Sequence, residues 1–209
     1  MLIIVWYINL LQTAPILIGK KMDKEQIKMN QDNNLDGEKL CTNCGLCCEG
    51  VFHEFAYLET DDDFRIAKKA NIPIELHKAT NKYMFTLPCP AFNGLCSIYP
   101  ERPSVCSGHK CDLLKSVICN NMAIEDALNK VKKMQDVFNH ILQELRGLDK
   151  NNASNNPAFL MNAVLENLGD ENSVDKFKKK HTALLIQYGV FNFLIHKYFY
   201  KTYKILRKL

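Results

Sequence analysis

The stretch CTNCGLCC, residues 41–48, places four cysteines in eight positions, and two of them, Cys47 and Cys48, are adjacent. Adjacent Cα atoms stand only about 3.8 Å apart, which is short for a disulfide. A C-x-x-C turn instead presents two thiolates to one metal ion. Cys41, Cys44 and Cys47 have the C-x-x-C-x-x-C spacing of the first three ligands in bacterial [4Fe–4S] ferredoxins. The usual following C-x3-C-P step is missing, so a fourth ligand must come from a second cluster, Cys89, Cys96, Cys106 or Cys111. Successive side chains of an extended chain point to opposite faces. Cys47 and Cys48 are therefore expected to serve different centres, or one ligates while the other packs or does redox work. The eight thiols suit two closed zinc sites, or one iron–sulfur cluster with further thiols beside it. Soft thiolates favour both, and spacing leaves the choice open. The ninth cysteine, Cys119, stands apart and reads as a core thiol at the start of a long helix.

These residues carry a family resemblance. CTNCGLCC, then PCPAFNGLCSIYPERPSVC and KC, resembles the CxxCxxCC family, the zinc- or iron-chelating domain of YkgJ-type cysteine-cluster proteins. The likeness covers roughly residues 38–115. It implies that Cys41, Cys44, Cys47, Cys48, Cys89, Cys96, Cys106 and Cys111 are the metal-binding cysteines. It matches Arg102 and Tyr99 to the family's usual Arg and Tyr, beside the centre. The family is distantly similar to flagellin lysine N-methylase, which implies an iron–sulfur-dependent protein-modifying enzyme as an alternative role. The chain departs from the pattern after Cys106, where Ser107 and His109 replace an Arg and an aromatic. His109 lies between two cysteines and reads first as a neighbour of the ligands or an exposed residue, and second as a ligand itself. His53, just past the first cluster, has the same ambiguity at lower weight.

The 209 residues suit one domain, or a small domain with a helical extension. Residues 1–37 are apolar and then polar, 38–119 form the cysteine-cluster module, and 120–209 form the helical extension. DNNLDGEK reads as loop. VFHEFAYL and KYMFTL read as strands. Thr60 caps a short helix with Asp63 three residues on and Asn71 as its stop. The acidic run Asp61–Asp63 therefore reads as a helix N-terminus rather than a cation site. Asn93-Gly94 makes a tight turn between Cys89 and Cys96. From Ile124 to Leu145 apolar residues recur at three- and four-residue steps, which predicts an amphipathic helix of about six turns. Pro157 opens a second helix that Gly169 ends, and Ser173 caps a third running towards Leu209. The expected fold class is α+β: a cysteine-rich loop-and-strand module packed on about three helices.

The net charge of +4 is too mild to point to nucleic acid. From Asn172 onward nine Lys/Arg face one acid, so a basic end sits on a slightly acidic body. Its aromatic- and lysine-rich segment reads first as a core-packing helix, with a protein partner on its basic face as the other reading. No phosphate-binding glycine loop, dinucleotide fingerprint or nucleophile elbow is present in the sequence, and no catalytic residue is assigned. Residues 1–19 carry no charged side chain, and charge follows the apolar run rather than preceding it, unlike a signal peptide. Translation starting at Met22 is the favoured reading. A cytoplasmic bacterial protein with reduced thiols follows from it. An inner-membrane anchor, and with it a membrane-tethered redox protein, requires residues 1–19. The expected function is metal binding, with iron–sulfur, most simply [4Fe–4S], or zinc as cofactor.

Overall fold

The structure, a computed structural model, describes residues 35–150 and 152–200, all within the compact unit Asn33–Leu209. The apolar start, the Met22 start and the basic end beyond Tyr200 lie outside the described residues. The fold is α+β, as the sequence implies. Helix α1 covers residues 35–44. Three short strands follow around helix α2 (Asp61–Lys69): β1 (Phe55–Tyr57), β2 (Glu75–His77) and β3 (Lys82–Thr86). They pair antiparallel in the order β1-β3-β2, with Ala56 opposite Phe85 and Leu76 opposite Tyr83. A 3-10 turn (Tyr99–Glu101) and two short helices, α3 (Ser104–Gly108) and α4 (Asp112–Ile118), lead to the long α5 (Ile124–Leu148). The chain then forms α6 (Pro157–Leu168), α7 (Glu171–Lys180) and α8 (Thr182–Leu194), which runs into a π-helical turn (Ile195–Phe199).

Local chemistry explains most boundaries. Thr60 and Asp63 form a reciprocal capping box at α2, and Asn71 turns left-handed just past its end. Asn156 caps α6 ahead of Pro157, and Gly169 ends it at φ +79°. The sequence reading does not include β2 or α4, and two further elements depart from it. The segment read as loop before Cys41 is helical over 35–44, because Leu40 is buried and anchors a turn whose local residues are polar. The third expected helix is two: Asp170, rather than Ser173, caps α7, and the chain bends at His181 before α8. Cys119 ends α4 and is exposed, ahead of the long helix rather than in its core.

The apolar residues form two cores. The larger one joins Leu40, Leu46, Val51 and Phe52 of the cysteine segment to α4, α5, α6, α7 and α8. The smaller one, built on Leu58, Ala67, Ile72, Phe85 and Ala91, lies under the sheet and α2. α5 buries Ile124, Val131, Met134, Phe138, Ile141 and Leu145 along one stripe, as its periodicity requires. Among the described residues no helix is long and apolar enough to cross a membrane.

Candidate metal centre

Cys41 and Cys44 lie three residues apart on the last turn of α1, hence on one face. Gly45 then reverses the chain at φ +62°. A Cβ at that position would come within 2.1 Å of Phe92 Cζ. Phe92 belongs to the turn between Cys89 and Cys96, where it bridges to Cys96. The Cys89 N–H donates to the Cys48 carbonyl at 2.8 Å. Close packing at Gly45 and this backbone bond thus clasp the two cysteine clusters together. Cys111 arrives differently, as the residue that caps α4. Its Sγ accepts from the Leu114 N–H at 3.4 Å. Burial is the larger influence and raises the Cys111 thiol, and the Leu114 amide works against it.

The eight thiols fall into two neighbourhoods along the seam between the cores. Cys44, Cys47 and Cys111 pack on the larger core, and Cys89 and Cys106 pack on the smaller. Electrostatic contact follows the same division. Cys47 feels Cys44 and Cys111 and, less strongly, the adjacent Cys48, whereas Cys48 feels Cys96, Cys106, Cys89 and Cys41. Cys41 stands between the groups, near Cys44 on one side and Cys96 on the other. Burial pushes the Cys44 thiol up to about 12, and neighbouring thiols add to the rise. Burial likewise raises Cys106 to about 12, ahead of repulsion from Cys89 and Cys96. Burial drives Cys47 and Cys48 up as well. Without a cation these groups are neutral thiols at pH 7. A bound metal ion inverts that balance by displacing their protons.

Arg102 supplies the clearest sign that negative charge belongs here. Its guanidinium stacks 3.6 Å above the Tyr99 ring. Its Nε and Nη1 are buried with no hydrogen-bond acceptor. A buried donor without an acceptor is costly, and Arg102 lies close enough to Cys41 and Cys106 to favour their thiolates. Eight soft donors, an amide aimed at a sulfur and a guanidinium with two unsatisfied nitrogens fit a thiolate-bound metal. Among the described residues no three His, Cys, Asp or Glu side chains already converge on one point as a finished ligand set. Metal-binding free energy couples to folding and is available to draw separate thiols together.

Residues 40–136 match the family model CxxCxxCC, described as "Putative zinc- or iron-chelating domain". The chain is thus similar to that family over this stretch. No curated protein matches the chain, and no solved structure does. The matched stretch takes in all eight clustered cysteines and runs on into α5. There Gln135 Nε2 donates to the carbonyls of Cys44, at 2.9 Å, and Asn43, at 3.2 Å. Those are end-of-helix carbonyls of α1 that otherwise lack an intrahelical partner. The long helix therefore holds the first cysteine turn in place. Sequence reading passed over Gln135, which looks like any polar residue on a helix face. It also passed over Tyr200, whose Oη lies 2.6 Å from His109 Nε2 and 3.7 Å from Cys47 Sγ. His109 thus sits beside the first thiol group, and His53 reaches the same phenol at 3.4 Å.

Proposed function

We propose that the chain holds zinc or an iron–sulfur centre through eight cysteine thiolates in two groups. Cys41, Cys44, Cys47 and Cys111 form one, and Cys48, Cys89, Cys96 and Cys106 the other. The observation that carries this reading is the gathering of eight free, half-buried thiols on one seam, beside Arg102, whose Nε and Nη1 are buried without an acceptor. Tyr99 supports Arg102, and Arg102 balances thiolate charge at Cys41 and Cys106. A metal bound there ties the two cores together across the seam, or supplies electron transfer if it is an iron–sulfur cluster. A reducing compartment such as the cytoplasm keeps such thiols available.

The test is to purify the chain without oxygen and measure iron, zinc and acid-labile sulfide per chain. Iron and sulfide at about four each identify one cubane cluster. About one or two zinc ions without sulfide identify closed thiolate sites. Cys44→Ser should lose metal, and Cys119→Ser should keep it. A chain with neither metal nor sulfide, or a Cys44→Ser variant with full metal content, overturns the reading.

A further inference from the structure

The last described residue reaches back into the first thiol group. After α8 the π-helical turn Ile195–Phe199 keeps Ile195 and Phe199 buried and delivers Tyr200 in extended conformation. Such turns are rare overall but frequent at functional sites. The Tyr200 ring packs edge-on against Phe52, with centroids 5.1 Å apart. Its Oη is shared by Cys47 Sγ, His109 Nε2 and His53 Nε2. The two imidazoles meet edge to face at 5.8 Å. Tyr200 lies far beyond residue 136, where the family match ends, so this contact is added to the domain by the C-terminal helices.

We infer that Tyr200 is a positioning residue for Cys47, donating its phenol proton to the ligating sulfur while His109 donates to the phenol oxygen. The direction follows from counting protons. A metal-bound thiolate accepts only, so the phenol must donate to it. The phenol has one proton, so the imidazole nitrogen 2.6 Å away must be the donor to its oxygen. A hydrogen bond to a ligating sulfur draws charge from it and fixes its direction. Phe52, Phe199 and Tyr200 together cover this side of the site. The inference rests on the metal reading above, and the experiment separates the two.

Cobalt(II) is added without oxygen to the full chain, and the sulfur-to-cobalt charge-transfer absorption is recorded. Release to an added chelator is then timed. Tyr200→Phe should move the absorption to lower energy and release cobalt about tenfold faster. Its melting temperature should hardly change, because the ring still packs on Phe52. Tyr198→Phe, whose ring instead lies near Lys130 and Lys197, should leave both readouts as they were. His109→Ala should speed release in the unaltered chain and add nothing to Tyr200→Phe. Wild-type spectrum and release rate in Tyr200→Phe overturn the inference while the metal reading stands. An unaltered chain that gives no charge-transfer absorption overturns both.

Discussion

Gly45 shows how much of the site depends on one missing methyl group. It has φ +62°, a conformation that costs an L-residue about 1–2 kcal/mol. It also lets Phe92 approach to where a Cβ would stand, at 2.1 Å. The ring is held by the bridge from Phe92 to Cys96, so it has little room to retreat. Gly45→Ala should therefore cost about 3 kcal/mol or more, from strain and overpacking together. It should also lower metal content, because the two cysteine stretches no longer close. Gly108→Ala is the control: nothing lies within 4 Å of its Cβ position and its φ is not positive, so metal content and melting temperature should hold. Thermal melts and metal analysis of the two variants check the contrast. The sequence marks Gly45 as a turn inside a cysteine motif. It does not show Phe92, because that contact exists only once distant segments meet. The same reason hides the grouping of the thiols, since Cys111 joins Cys44 and Cys47 through the fold and not through spacing.

Among the elements, α2 is the one whose start the sequence predicts in chemical detail. Asp63 is 1% exposed and accepts from the Glu59 and Thr60 amides and from the Ser104 N–H and hydroxyl. Burial alone would raise its carboxyl, but the Ser104 bonds and the two amides outweigh it and hold the group at about 2. The carboxylate thus fastens α2 to the start of α3, between the sheet and Cys106. A folded-state value below the unfolded one contributes stability that is complete above about pH 4 and is lost as pH falls towards 2. The depression from 3.8 corresponds to about 2 kcal/mol. Asp63→Asn should melt well below the unaltered chain at pH 7, and the gap should close as pH falls from 5 to 2. Metal loss in acid affects both proteins, so their difference isolates the carboxylate; a gap that stays constant with pH would count against it. α1 and α4 were harder to foresee. α1 has a polar, loop-like sequence and is anchored by the burial of Leu40. α4 is capped by a cysteine sulfur, whereas capping rules look for Ser, Thr, Asp or Asn.

Over the whole molecule, the site is a seam between two cores, and its sulfurs are divided between them. Helical periodicity foretells α5, and the cysteine pattern foretells a metal. Neither shows that the far end of α8 walls the first thiol group, because amphipathic patterning says which face is buried and not against what. Phe199 makes that connection. It is 1% exposed, and its ring stands 5.4 Å from Phe52, which follows the vicinal cysteines. Phe199→Ala should cost about 3–5 kcal/mol by leaving a cavity at this junction. Phe193→Ala, on the same helix but 59% exposed, should cost about 0.5 kcal/mol or less. Because one core runs from Leu46 to Phe199, loss of helical signal and loss of metal should occur at the same temperature in the unaltered chain. Both should move down together in Phe199→Ala. Helices that melt early while metal stays bound would show that the cysteine segment stands without its helical wall, and that the shared core does not couple the two.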